Sequence, residues 1–193
     1  MGDAGRSNRE MILAAALDLF ADRGYNGVGV EELASSGGVT KPTLYHYFGN
    51  KQGLLETLLR ERYDPFLKEL EAAADYRHDL PNRITKVATL FFDFGTREAK
   101  LYRMVIAAGL TARDDVATKL MAQRIEVQDR ILRNLFEQAS HDHGNMKGRH
   151  HLHAAGLQAT ILAYLQLAAT GEMTLDDAAI WRLRQQFSHG IYS

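Results

Sequence analysis

Residues 24–51, GYNGVGVEELASSGGVTKPTLYHYFGNK, decide how this chain is read. Val30, Leu33 and Ala34 recur at helical spacing, the pattern breaks at Gly37-Gly38, and a second short apolar set follows at Val39, Leu44, Tyr47 and Phe48. Two short helices joined by a Gly-bearing turn are predicted, because a sharp reversal needs a residue at positive φ and Gly adopts it without a Cβ clash. Thr40 is placed to cap the second helix, and Pro42 falls in its first turn, where a missing N–H removes no hydrogen bond. With Val39, Leu44, Tyr47 and Phe48 turned inward, Thr40, Lys41, Thr43, Tyr45 and His46 are expected to face outward. Those residue types reach base edges and phosphate oxygens, so the second helix reads as a nucleic-acid probe.

Working outward, Ser7 or Asn8 caps a preceding helix whose Met11, Ile12, Ala15, Leu19 and Phe20 form an apolar stripe ending at Gly24. Residues 1–6 are expected to be mobile, with Arg6 and Arg9 near enough to touch phosphate. After Asn50, a cap, a long helix is predicted from Lys51 to about Ala74, bent near Pro65. Lys51 at its start is a further expected DNA contact. The rest of the chain keeps a helical period. Helices are predicted from Pro81 to about Gly95, over EAKLYRMVIAAGL, from Val116 to Ala139, from Arg149 to Thr170, and from Leu175 to His189 with Thr174 as cap. The expected fold class is therefore all-α.

Composition sets bounds. The chain has 193 residues, 23 Lys plus Arg against 24 Asp plus Glu, and no Cys. Without Cys there is no disulfide, no thiolate nucleophile and no sulfur-ligated zinc. No apolar run reads as long enough to span a membrane and the first residues lack the apolar centre of a secretory signal, so cytoplasmic residence without a membrane partner is expected. Net charge is near zero, which argues against an architectural binder that coats DNA through bulk charge. Sequence-specific, salt-sensitive binding through a few phosphates and base contacts is expected instead. No Ser-His-Asp signature, phosphate-cradling Gly loop or metalloprotease motif is present, so no catalytic residue is assigned and the chain is not read as an enzyme.

ILAAALDLFADRGY, VEELASSGGVTKPTLYHYF and NKQGLLETLL, together about a quarter of the chain, resemble the N-terminal DNA-binding domain of TetR-family transcriptional regulators. One departure is visible: the family usually places Thr or Ser where this chain has Val28 and Gly29, so the hydroxyl cap of the first short helix is absent. The resemblance implies a three-helix helix-turn-helix DNA-binding domain at residues 6–52 and a helical effector-binding and dimerisation domain at 53–193. It further implies a homodimer on a palindromic operator of double-stranded DNA, repressing transcription until a small-molecule effector, of unknown identity, releases it. No cofactor is expected.

The helix from Arg149 to Thr170 is apolar around much of its circumference, and the resemblance implies that the last two helices pair with their counterparts in a second subunit. Leu157, Ile161, Leu165, Trp181 and Phe187 are the residues expected at that interface. Phe91, Phe92, Phe94, Tyr102, Met104, Met121 and Tyr164 are bulky or adaptable side chains suited to an apolar effector pocket or to a plain core. The cluster His141, His143, His150, His151 and His153 raises an alternative, a metal-responsive regulator, since imidazole is a common metal ligand and His150 and His153 share a helical face.

Overall fold

The computed structural model describes residues 7–110 and 114–192, without the side chains of residue 145 and residues 188–192. The expectations for residues 1–6, including the Arg6 contact, lie outside the described residues. The chain folds as helices α1 (Asn8–Arg23), α2 (Val30–Ser36), α3 (Lys41–Phe48), α4 (Lys51–Arg62), α5 (Asp64–Ala73), α6 (Leu80–Arg97), α7 (Ala99–Gly109), α8 (Val116–Ala139), α9 (His150–Ala169) and α10 (Asp177–Tyr192). No strand occurs among the described residues, and the expected all-α class holds. Two compact units divide it: residues 1–65 with 98–125, and residues 66–97 with 126–193.

In the first unit, α1 opens with a full capping box, Ser7 accepting from the Glu10 N–H while the Glu10 carboxylate accepts from the Ser7 N–H. Its buried face is Ile12, Leu13, Ala16, Leu17 and Phe20. The expected stripe is thus rotated: Met11 is exposed and Leu19 only half-buried. Against this face pack Leu33 and Ala34 of α2, Leu44 and Phe48 of α3, and Leu54, Leu55, Leu58 and Leu59 of α4, all buried. Lys100 Nζ on α7 reaches Asp18 of α1 at 2.7 Å.

The long helix expected from Lys51 to Ala74 is two helices, not one bent one. Tyr63 ends α4 and α5 begins at Asp64, because Pro65 has no N–H to donate and disfavours a helical conformation in the residue before it. Arg124 of α8 forks onto Asp64, Nε to Oδ1 at 3.1 Å and Nη2 to Oδ2 at 3.3 Å.

In the second unit, Phe66 of α5 stacks on Phe94 of α6 at 4.2 Å between centroids and meets the edge of Phe91 at 5.1 Å. Gly95 does not close α6, which runs on to Arg97. A Cβ there would stand 2.7 Å from Leu165 Cδ2 of α9, so this Gly serves close helix approach instead. Asp176, not Thr174, caps α10, its carboxylate accepting from the Ala179 N–H at 2.8 Å.

α9 corrects the reading of apolar runs. By length and composition it is apolar enough to cross a membrane, and only 17% of that stretch is buried within the chain. Ala and Leu supply the apolarity between His, Gln and Thr, which kept any single run short. Leu152, Leu162 and Leu167 of α9 and Trp181 of α10 are exposed.

Candidate nucleic-acid interface

The turn between α2 and α3 forms as the Gly pair requires. Gly38 lies at φ +67°, the Gly38 N–H donates to the Ser35 carbonyl at 3.0 Å and the Val39 N–H to Ala34 at 2.9 Å. A Cβ on Gly38 meets nothing within 4 Å, so the left-handed conformation alone decides the effect of substitution. Gly38→Ala is expected to destabilise the first unit by about 1–2 kcal/mol, read by urea denaturation.

Thr40 caps α3, its Oγ1 accepting from the Thr43 N–H at 3.4 Å and lying 2.9 Å from Thr43 Oγ1. Leu44 and Phe48 are the anchors, 0% and 7% exposed. At 100° per residue, Tyr45 and Tyr47 stand about 80° to either side of the line between them. Their exposures accordingly match, 39% and 41%. Tyr47, expected inside, is therefore on the outer edge with Tyr45 and His46, and its ring meets the His46 ring edge-on at 5.5 Å. The helical angle carried that signal, whereas apolar character did not. Gly29 opens α2 without any side-chain cap bond, as its missing hydroxyl implies.

Arg9, Arg23, Lys41 and Lys51 are each engaged by other groups of the chain. Lys41 Nζ lies 3.0 Å from Glu31 Oε1, and that hydrogen bond raises its pKa above the usual lysine value. Arg23 pairs with Glu32. Arg9, expected near phosphate, forks onto Glu61 of α4 and lies over the Phe48 ring; the hydrogen bond from Arg9 pulls the Glu61 carboxyl below its ordinary range. Lys51, the other expected DNA contact, is turned inward. Its Nζ donates to the Val28 carbonyl at 2.8 Å and sits 4.1 Å from the Tyr25 ring centroid, and burial lowers its pKa.

The expected pocket residues do not come together. Met104 and Met121 line a cavity of about 210 Å³ in the first unit with Phe20, Tyr25 and Leu55. Tyr102 is buried core of that same unit, at 4% exposure. Phe91 and Phe94 are core of the second unit, fully enclosed, and Phe92 stacks on Tyr164 there at 5.9 Å. The expected interface divides similarly. Leu157 and Ile161 are buried against their own chain, Leu165 fills the space over Gly95, and Phe187 packs on Phe136 and His153. Trp181, 55% exposed, is the member left facing outward.

Among the described residues no three His, Asp or Glu side chains converge as a metal site. Asp142 is engaged by the Tyr76 hydroxyl at 2.7 Å and His78 Nδ1 at 2.6 Å, and His153 is wedged between Phe136 and Phe187. Among the described residues the metal alternative has no geometry behind it. Burial first, and the Arg149 charge second, lower the His153 pKa below its ordinary 6.5. The unfolded chain binds this proton more readily than the folded one, so the stability contributed by neutral His153 is present above about pH 6.5 and lost as pH falls below it. His153→Phe is expected to flatten that part of the stability-versus-pH curve, measured by denaturation at stepped pH.

An eight-residue helix held on edge behind a Gly hinge is an element that a major groove admits, and the class so defined is the helix-turn-helix transcriptional regulators. Residues 12–58 match the model of bacterial regulatory proteins of the tetR family. Those residues carry the DNA-binding segment of that family. It is 29% identical over 151 residues to the HTH-type transcriptional activator FasR of Mycolicibacterium smegmatis, covering 78% of this chain and 67% of FasR. Two solved structures share the fold along nearly the whole chain. AibR, in complex with isovaleryl coenzyme A and operator DNA, has a TM-score of 0.68 at 21% identity, covering 95% of this chain and 97% of that one. FadR of Bacillus subtilis, in complex with stearoyl-CoA, has a TM-score of 0.70 at 18% identity, covering 94% and 98%.

Proposed function

We propose that this chain is a sequence-specific, ligand-responsive regulator, a homodimer that leaves a palindromic operator when a small molecule binds. The observation carrying this is α3: capped by Thr40, anchored by Leu44 and Phe48, and exposing Lys41, Tyr45, His46 and Tyr47, with Thr40 and Thr43 at its leading end. The DNA-reading part is residues 6–52, and the helices beyond supply the dimer and the response to effector. The exposed apolar side chains of α9 and α10 support a second copy as their cover, and a two-fold protein presents two α3 helices to successive half-sites. That AibR was solved with operator DNA and an acyl-CoA, and FadR with an acyl-CoA, supports coupling between a small ligand and DNA in this fold. A ligand shifts the equilibrium only through tighter binding to the state that has left DNA. An operator overlapping a promoter makes such a dimer a repressor, whereas one placed upstream suits an activator, the role in FasR's name.

Selection of bound genomic fragments followed by footprinting tests the reading. One inverted repeat protected, with loss of protection on adding a metabolite extract, is expected; uniform protection of random DNA overturns it. Lys41→Ala is expected to weaken binding and reduce the salt slope by roughly 0.9 if its ammonium meets a phosphate. Glu31→Gln, which frees that ammonium, is expected to move affinity and slope the opposite way in the same fluorescence-anisotropy titration.

A further inference from the structure

Leu44 and Phe48 define the inward direction of α3. At 100° per residue, His46 stands about 180° from the line midway between them, Pro42 about 140° on one side and Thr43 about 120° on the other. These three form the ridge facing away from the core, with Tyr45 and Tyr47 on its flanks. Pro42 is exposed and Thr43 half-buried. In a helix laid in the major groove the N-terminal residues are the ones that meet base edges, so Pro42 and Thr43 lead the ridge onto the bases. What they present is largely apolar. Pro42 has no N–H and no polar side-chain atom. The Thr43 hydroxyl turns back toward the cap, its Oγ1 2.9 Å from Thr40 Oγ1, which also accepts from the Thr43 N–H at 3.4 Å. The other branch at the Thr43 Cβ is its methyl group. Lys41, the remaining residue of this turn, is drawn toward α2, with Nζ 3.0 Å from Glu31 Oε1.

We propose that Thr43, with the Pro42 ring beside it, selects a thymine in each half-site by contact with the thymine C5-methyl group rather than by a hydrogen bond. Among the four bases thymine alone carries an apolar group into the major groove, and the Thr methyl is one of the side-chain groups that meet it. Cytosine has a hydrogen at C5 and leaves the Thr43 methyl without that contact. Guanine and adenine present N7, which calls for a donor, and the Pro42 ring has none. The tyrosine hydroxyls on the flanks suit phosphate oxygens, which position the helix without reading sequence. Selection by a methyl contact does not involve released counterions, so it is independent of salt, unlike the contribution of Lys41. This deepens the DNA-binding reading and rests on it.

Fluorescence anisotropy of the full chain on the inverted repeat recovered by genomic selection tests it, with deoxyuridine replacing thymine at one position of the half-site at a time. That exchange deletes a methyl group and leaves every hydrogen-bonding edge in place. A thymine in each half-site is expected to be sensitive, its replacement weakening binding about fourfold in one half-site and about fifteenfold in both. The ratio is expected to hold as salt is raised. Thr43→Ser removes the methyl and keeps the hydroxyl beside Thr40; it is expected to weaken binding to the thymine repeat by a similar factor and to make thymine and deoxyuridine equivalent at that position. Thr43→Val keeps a methyl, removes the hydroxyl and is expected to retain the preference for thymine. A repeat with no sensitive thymine, or a Thr43→Ser variant that keeps the full preference, overturns the proposal while leaving the regulator reading in place. Failure to select any inverted repeat overturns the regulator reading, and this proposal with it.

Discussion

Leu162→Glu combined with Trp181→Glu is expected to give a folded monomer whose affinity for an inverted repeat is lower by about 100-fold or more. Both side chains are exposed in the single chain, 38% and 55%, so their replacement leaves the core of the second unit intact. Apolar area of this kind on neighbouring helices marks an interaction surface, and two negative charges per copy oppose its pairing. The loss in DNA binding follows from connection: once one half-site is held, the second is met at an effective concentration near millimolar, an advantage of about 10²–10⁴ that a monomer forfeits. Sedimentation and anisotropy read the two effects. A double variant that stays dimeric, or a monomer that binds as well as the parent, removes the role given to α9 and α10.

Phe91→Ala is expected to lower stability by about 3–5 kcal/mol, measured by urea denaturation of the second unit's transition. Phe91 is 0% exposed, and its ring meets that of Phe66, so truncation leaves a cavity with little means of collapse. A residue lining an open effector pocket loses less on truncation, because one side of its ring already faces solvent or ligand. Phe91→Leu, closer in volume, is expected to lose much less. A small change in both variants means that Phe91 borders accommodating space, as a pocket residue does.

Local chemistry made much of the fold legible in the sequence. The caps at Ser7, Thr40 and Asn50, the Gly38 turn and the span of α8 follow from short-range rules, and each forms as those rules require. What depended on rotation about a helix axis was less legible. Met11 and Leu19 of the expected stripe lie off the buried face, and Tyr47 lies outside the anchors, because an apolar side chain on a short helix carries no mark of which neighbour covers it. The Tyr63 break was hidden by an apolar period that continues across Pro65. The site suffered most where tertiary contacts decide. Lys51 reads as a free cation until Val28 and Tyr25 are seen beside it, and the aromatic set divides between two units. Asp115 and Asn26 lie 89 residues apart and pair only in the folded chain.

The pairing of Lys41 with Glu31, Arg23 with Glu32 and Arg9 with Glu61 has a consequence for how the protein finds its target. With these three cations already balanced, the reading head gains less from arbitrary stretches of chromosome, since such contact draws its strength from counterions set free by unpaired charge. Few copies are then sequestered on irrelevant sequence, and the search proceeds by short collisions rather than long sliding tracks. Occupancy of the operator is set by fit at the bases, at a copy number that a strongly basic head of equal specific affinity would have to exceed.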